Sequence, residues 1–156
     1  MVTAWVTNGT TTLEAIVNPI NAACEEGFVP DRLYIVENPK VADQVARAVE
    51  LATEITDAYE GDELDIRVTS IDSELDFDRL YAHTKEAVEE VHEDDGEAAV
   101  DFTPGRKFMS ALAFATGMRY DADHVYYFYL EDTPRGRVYP SIPRTKSRLY
   151  DFTEVL

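Results

Sequence analysis

Short apolar runs alternate with longer amphipathic segments along this chain of 156 residues. The apolar runs have the length and composition of buried strands, and the segments between them repeat apolar residues at helical spacing. Alternating strands and helices favour an α/β fold, a Rossmann-like three-layer sandwich with a mostly parallel central sheet. The five predicted strands lie at residues 4–7, 32–36, 64–71, 98–102 and 124–130.

Prolines in two of the predicted helices indicate where a helix bends or begins. Pro19 lies inside the first helix, where it either kinks the helix or opens a second segment with Asn18 as N-cap. Asn38 and Pro39 have the sequence of a helix start, as N-cap and first helical residue. The fourth helix, residues 106–118, has apolar residues in several directions, so we expect it to be well buried.

The length of the chain suits one domain, residues 1–156, because such a chain buries roughly 70% of its unfolded surface. Residues 133–156 are predicted to form a basic C-terminal strand or hairpin extension of the same domain, although prolines limit regular pairing. This tail has no acidic residue between 133 and 150, and it is basic through Arg135, Arg137, Arg144, Lys146 and Arg148. It lines a ligand site, contacts RNA, meets the acidic face of a partner subunit, or is a solvated hairpin.

The charge balance is strongly acidic, with 31 acidic and 14 basic residues and a formal net charge of −17. Self-repulsion of this size destabilises a compact domain in dilute buffer, but the Debye length falls to about 3 Å at 1 M salt. The composition therefore predicts a halophilic source, an archaeon; an acidic protein of an ordinary cell is the alternative. It excludes nonspecific binding to duplex DNA, which needs a basic face.

Other sequence signals exclude several protein classes. Cys24 is the only cysteine, so the chain has no internal disulfide, as expected in a reducing cytosol. No secretion signal or long apolar run is present, which predicts a cytoplasmic protein without a membrane partner. Neither a Walker motif nor a dinucleotide-binding glycine motif occurs, so no cofactor is expected. His83, His92 and His124 lack metal-ligand spacing, so no metal site is expected either.

Two loops at predicted strand ends have the chemistry of an anion site. Residues 7–12 follow the first strand, and residues 103–107 follow the fourth; both lead into helices. Ligands of open parallel sheets bind outside the carboxyl ends of the strands, near the point where strand order reverses. Gly9 and Gly105 would let a ligand approach the backbone closely, and the threonine hydroxyls would donate to phosphate oxygens.

Two cations stand at the start of the fourth helix, where the helix dipole favours acids. Arg106 and Lys107 are each unfavourable there by roughly a few tenths of a kcal/mol. A phosphate held by the free N–H groups of the helix removes this conflict. An ordinary solvated turn is the alternative interpretation. Asp101, just before this loop, either orders the loop or caps the next helix.

Residues 100–111, Val-Asp-Phe-Thr-Pro-Gly-Arg-Lys-Phe-Met-Ser-Ala, resemble the hydrophobic-D-x-T-G-G-T-K-x-M-S signature of CARF domains. These are the CRISPR-associated Rossmann-fold ligand sensors. Residues 7–10 are similar to the first-strand loop of that family, T-x-G-T/S. The second motif is matched by Thr103, Gly105, Lys107, Met109 and Ser110. Pro104 replaces its first glycine and Arg106 its usual threonine, which changes the part of the loop that would touch the ligand.

The resemblance implies a homodimer that senses cyclic oligoadenylate in CRISPR antiviral signalling and binds the ring across its two-fold axis. Family members usually carry a C-terminal effector; this chain has no residues left for one, so a stand-alone domain is expected. The expected ligand-binding residues are Asn8, Gly9, Thr10, Thr11, Thr103, Gly105, Arg106, Lys107 and Ser110.

Two alternatives to a sensor stay open. One is a metal-independent ring nuclease, in which the ribose 2′-hydroxyl attacks the adjacent phosphate in line. In that reaction Lys107 and Arg106 would stabilise the developing charge, and Thr10 or Thr11 would orient the phosphate. Neither loop contains a histidine, so a general base is lacking and cleavage would be slow. The other is a non-enzymatic regulatory or structural partner subunit that uses the basic tail.

Overall fold

The computed structural model describes residues 1–131 and 136–156. The strands are β1 Thr3–Asn8, β2 Arg32–Glu37, β3 Asp65–Ser70, β4 Glu97–Asp101, β5 His124–Leu130 and β6 Ser147–Asp151. The helices are α1 Leu13–Glu25, α2 Ala42–Ala58, α3 Phe77–Glu93 and α4 Lys107–Arg119. The predicted Rossmann-like α/β sandwich is confirmed.

The six strands form one sheet in the order β3-β2-β1-β4-β5-β6. Strands β1 to β5 are parallel, and β6 pairs antiparallel with β5 at the edge. The chain leaves β1 for β2 on one side, and β4 later adds to the other side of β1. Strand order therefore reverses between β1 and β4, which is where open α/β sheets bind ligands.

Successive side chains of the central strands point to opposite faces of the sheet, and both faces are apolar. On one face Trp5 packs in a core with α1 and α2, which also contains Ile16 and Val45. On the other face Val6 packs in a core with α3 and α4, which also contains Val88. This burial on both sides explains why the central strands are continuous apolar runs in the sequence.

Helix α1 continues through Pro19, so of the two alternatives at this proline, the second segment with Asn18 as its N-cap is wrong. The side chain of Asn18 instead holds the tail against α1. Its Nδ2 donates to the Arg137 carbonyl at 2.8 Å, and its Oδ1 accepts from the Tyr139 amide at 2.8 Å. A buried asparagine with both ends bonded to distant backbone serves the packing of the tail.

The predicted start of the second helix at Asn38 and Pro39 is also wrong, since α2 begins at Ala42. Asn38 Oδ1 accepts from the Lys40 amide at 2.9 Å, and the Asn38 carbonyl accepts from the Val41 amide at 3.1 Å. These bonds form a separate turn ahead of the helix. The same residue types favour such turns and helix caps, so the sequence alone does not distinguish them.

Helix α4 is only half-buried, contrary to the prediction. Its buried residues are Met109, Ala113, Thr116 and Gly117. Ala111 and Ala115 are exposed, and Phe114 is partly exposed. The helix packs against α3, β4 and part of β5, and its apolar residues outnumber the positions that face these elements.

The tail adds two short 3₁₀ turns, Tyr139–Ser141 and Arg144–Lys146, and then β6. Asp151 ends β6 and fixes it to β5: Oδ2 bonds His124 Nδ1 at 2.7 Å and Oδ1 accepts from the Val125 amide at 3.1 Å. Arg135 lies outside the described residues.

In the described ranges, no helix has both the length and the apolar character needed to cross a membrane.

Candidate functional site

The carboxyl ends of β1 and β4 lie side by side, with Val6 paired to Val100. From these neighbouring strands α1 runs onto one face of the sheet and α4 onto the other. The two loops singled out in the sequence, residues 7–12 and 103–107, therefore border one crevice, and each leads to a helix N-terminus. Free N–H groups of two helices are available to an anion there.

Gly9 is required by the fold itself. A Cβ at this position would lie 2.4 Å from the Val36 carbonyl oxygen and 2.5 Å from Val45 Cγ2. The Gly9 amide donates to the same Val36 oxygen at 2.8 Å, so its N–H is engaged. Asn8 beside it is 3% exposed. Gly9 thus packs closely against β2, and Asn8 is buried beside it; their contact with a ligand stays a prediction.

The threonines of the first loop remain available to a ligand. Thr10 is partly exposed, and Thr11 and Thr12 are exposed. Thr12 is the N-cap residue of α1, but its side chain makes no capping hydrogen bond. Within the described ranges, none of the three hydroxyls has a hydrogen-bond partner. They can donate to phosphate oxygens without breaking an internal bond.

Thr103 anchors the second loop. Its Oγ1 accepts from the Phe128 amide at 2.8 Å, and its own amide donates to Asp101 Oδ1 at 2.9 Å. The hydroxyl oxygen thus ties the loop to β5. Asp101 orders this loop, and it is not the cap of α4, whose N-cap is Arg106.

Gly105 gives the second loop its direction. Its φ of 103° lies in the left-handed region, where a side chain is strained. An added Cβ would also lie 3.1 Å from Met109 Cβ. The turn leads directly into α4, whose first turn contains no acidic residue and whose N-cap has no side-chain bond.

The two cations of this loop differ in their surroundings. Arg106 Nε pairs with Glu74 Oε1 at 3.0 Å, and the Arg106 side chain is 67% exposed. Glu74 therefore partly offsets the charge conflict that the sequence indicated. The Arg106 end of the pair is open to solvent while the Glu74 side chain is only 22% exposed, and we expect a contribution of about 1 kcal/mol. Lys107 is exposed and forms no ion pair with any described residue. Ser110 follows one turn later and is partly exposed.

A cavity of about 210 Å³ adjoins this loop at the carboxyl ends of β2 and β3. Its lining residues are Asn38, Pro39, Lys40, Asp72, Ser73, Glu74 and Leu75. The sequence pattern did not single out Lys40 and Glu74. Their position directly after strands of the parallel sheet was the available signal, since all such loops meet at one edge.

A chain of buried polar groups runs beneath the crevice. Thr69 Oγ1 donates to His83 Nδ1 at 3.1 Å, and His83 Nε2 donates to the Thr7 carbonyl at 3.1 Å. The Thr7 hydroxyl donates in turn to Asp101 Oδ2 at 3.3 Å. This series of hydrogen bonds links β3, α3, β1 and β4, and Thr103 extends it to β5. The sequence signal for His83 was a polar residue on the buried face of an amphipathic helix.

Burial shifts the pKa values of both titratable groups in this chain towards their neutral forms. It lowers the pKa of His83 to about 4, and the hydrogen bond that His83 donates to the Thr7 carbonyl only partly offsets this. It raises the pKa of Asp101 to about 7 against the opposing hydrogen bonds of Thr103 and Thr7. The His83 imidazole is therefore neutral at pH 7, with the proton on Nε2 facing the carbonyl.

The basic tail is partly committed to the fold. Arg144 Nε pairs with Glu25 at 2.9 Å, and its guanidinium lies 3.8 Å from the centre of the buried Tyr139 ring. Lys146 pairs with Glu131 at 3.3 Å. Arg137 and Arg148 have exposed side chains.

No group of three or more His, Cys, Asp or Glu residues that could hold a metal occurs in the described ranges.

Comparisons with known proteins reveal similarity in fold. No family model and no curated protein sequence matches the chain. The structure of Can2 from Sulfobacillus thermosulfidooxidans in complex with cyclic tetra-adenylate matches 79% of it, with a TM-score of 0.54 and 20% identity. Enterococcus italicus Csm6 bound to cyclic hexa-2′-fluoro-hexa-dAMP matches 88%, with a TM-score of 0.61 and 14% identity. The chain spans 31% and 35% of those two proteins.

Proposed function

We propose that this chain is a CARF-type sensor of cyclic oligoadenylate in CRISPR antiviral signalling. The observation that carries the proposal is the crevice between β1 and β4. There the turn at Gly105 leads into α4, which begins at Lys107 and has no acidic residue in its first turn. The signature resemblance of residues 100–111 lies in this loop. Support also comes from the fold, which the chain shares with two proteins whose structures hold cyclic oligonucleotides.

In this proposal the phosphates of the ring sit at the N-terminus of α4. The free N–H groups after Gly105, the Lys107 ammonium and the Ser110 hydroxyl bind them from one side. Thr10 and Thr11 donate from the other side of the crevice. Arg106, which is exposed and paired with Glu74, turns to the ligand when it binds. Asn8, Gly9 and Thr103 hold the two loops in shape beneath the ring.

A homodimer is part of the proposal, and the surface of α4 supports it. One residue in five of the chain is acidic, yet none of the 13 residues of α4 is. Phe77, 51% exposed, lies against Phe108 with ring centres 5.5 Å apart, and Ala111 and Ala115 are exposed beside them. An exposed apolar face without acids is typical of a protein interface, above all in so acidic a chain.

Sensing without cleavage is favoured over a ring nuclease. Both nitrogens of His83 are engaged in hydrogen bonds, and Asp101 is fully buried. Neither group can reach a ribose hydroxyl, so the titratable groups nearest the crevice act as supports. The ion pairs of Arg144 and Lys146 with acids of the same chain likewise favour the sensor over a subunit or RNA contact built on the basic tail.

The wider setting also belongs to the proposal. We infer a halophilic archaeal source and a cytoplasmic location from the net charge of −17 and the single cysteine. We further infer that residues 1–156 form one domain, with residues 133–156 as its C-terminal extension.

Isothermal titration of the chain in molar salt with cyclic tetra-adenylate and cyclic hexa-adenylate tests the proposal. A linear adenylate of the same length is the matched control ligand. Heat of binding with one of the rings and recovery of the intact ring by chromatography are expected of a sensor. A folded chain that binds neither ring refutes the proposal, and recovery of linear product assigns the nuclease alternative.

A further inference from the structure

Strand β5 continues well past the end of β4. The last pair between the two strands joins Asp101 to Tyr126, whereas β5 runs on to Leu130 in its pairing with β6. Four residues of strand span about 13 Å, so the β5–β6 pair rises above the edge where β1 and β4 end. The bond between Thr103 Oγ1 and the Phe128 amide fixes the candidate ligand loop to the base of this extension.

One face of the extension is made of tyrosines and an arginine. Tyr127 pairs with Tyr150 across the two strands and Tyr129 with Arg148, so all four side chains share a face. We name these four residues the tyrosine strip. The alternate residues, among them Phe128 and Leu149, are packed on the opposite face with α1. The strip therefore lies on the side of the sheet that carries α4.

The tyrosines of the strip are partly open to solvent, with residue exposures of 36% for Tyr127, which also packs against Phe102, 49% for Tyr129 and 39% for Tyr150. The Arg148 guanidinium lies 5.0 Å from the centre of the Tyr150 ring, and the rings of Tyr129 and Tyr150 are 6.4 Å apart. None of the four residues is acidic. Flat aromatic faces beside a guanidinium are the surface on which nucleobases stack in proteins that bind unpaired nucleotides.

We propose that the tyrosine strip stacks a base of the nucleotide ligand, with Tyr129 and Arg148 as its principal contacts. The inference rests on the proposed function, which puts the phosphates of the ring at the start of α4. A base that extends from those phosphates towards β5 meets the upper end of the strip. A second copy of the chain fits less well there, because the strip has no aliphatic side chain and four polar or charged ends, whereas α4 offers an apolar face.

The substitution Tyr129→Leu tests the inference, since it keeps an apolar side chain but removes the π face. We expect cyclic oligoadenylate to bind at least about tenfold more weakly, and the loss of adenine absorbance that accompanies stacking to shrink. Tyr129→Phe keeps the ring and should bind within about twofold of the wild type. Tyr59→Leu is the matched control, because Tyr59 is 38% exposed and lies at the far end of α2.

Three outcomes decide the matter. Wild-type affinity and absorbance change in Tyr129→Leu overturn the inference and leave the proposed function standing. A shift of the variant to a smaller mass in solution, with the absorbance change of the bound ring intact, also overturns it and assigns the strip to a second copy. Absence of binding to either ring by the wild type refutes the proposed function and the inference together.

Discussion

The Thr7 hydroxyl donates a 3.3 Å hydrogen bond to Oδ2 of Asp101, across the two neighbouring strands whose loops form the proposed site. Both residues are almost fully buried. The bond therefore fixes the position of the end of β1 relative to the end of β4 beneath the crevice. His83 supports Thr7 from the other side through the carbonyl, so the two loops share one polar foundation.

Removal of the Thr7 hydroxyl should destabilise the protein. Thr7→Val is nearly isosteric, but it takes a donor from a buried carboxyl group and should lower the free energy of unfolding by about 1–3 kcal/mol. Denaturant unfolding in molar salt measures this. Thr53→Val is the control, because the exposed Thr53 hydroxyl bonds only within its own helix and should change stability by less than about 0.5 kcal/mol. Equal effects of the two changes would show that the bond is unimportant.

The two buried titratable groups should have opposite effects on the dependence of stability on pH. The folded-state pKa of Asp101 is raised from 3.8 to about 7, so the folded state holds a proton that the unfolded state loses, and stability falls as pH rises through that range. The folded-state pKa of His83 is lowered from 6.5 to about 4, so its contribution to stability rises with pH over that range. In the wild type the two contributions largely cancel below pH 6.5.

Single variants should reveal each contribution. Between pH 4 and 6.5, the unfolding free energy of Asp101→Asn should rise with pH more steeply than that of the wild type. The unfolding free energy of His83→Gln should fall with pH over the same range. Each slope should differ from that of the wild type by up to about 1.4 kcal/mol per pH unit. Unfolding free energies measured across this range in molar salt provide the test. Parallel pH profiles in all three proteins would mean that neither group is held neutral by burial.

Substitution at Gly9 should damage the fold before it affects any ligand. The Cβ of Gly9→Ala would overlap the backbone oxygen of Val36, so we expect a loss of about 3 kcal/mol or more in unfolding free energy. Gly27→Ala is the control: a Cβ there meets nothing within 4 Å, and only its φ of 99° costs about 1–2 kcal/mol. An unchanged melting temperature in Gly9→Ala, with weakened ligand binding, would reassign Gly9 to the ligand.

Glu74 should compete with the ligand for Arg106. Glu74→Gln frees the guanidinium and should tighten the binding of cyclic oligoadenylate by a few-fold, whereas Arg106→Ala should weaken it. Because the Arg106 end of the pair is 67% exposed and screened by solvent, both variants should unfold within about 1 kcal/mol of the wild type. Titration calorimetry of the two variants measures the effect. Weaker binding in Glu74→Gln would mean that the ion pair holds the loop in its binding shape.

The sequence allowed prediction of the features that depend on local pattern. The predicted strands correspond to β1 to β5, and the parallel order placed the loops of residues 7–12 and 103–107 at strand ends. It did not allow prediction of contacts between distant residues. Arg106 meets Glu74 and His83 meets Thr7 only because the sheet brings their elements together. For the same reason the sequence did not predict that Gly9 packs against Val36. The loop of residues 7–12 that contains Gly9 has a composition that also suits a ligand site.

Titration of Lys107→Ala with cyclic tetra-adenylate and cyclic hexa-adenylate tests the central claim most directly. Lys85→Ala is the matched control, since Lys85 lies on α3 and pairs with Glu89 at 3.9 Å. We predict that the wild type and Lys85→Ala bind one of the rings equally well, and that the folded Lys107→Ala variant shows no binding. Wild-type affinity in Lys107→Ala would contradict the placement of the ligand at the start of α4.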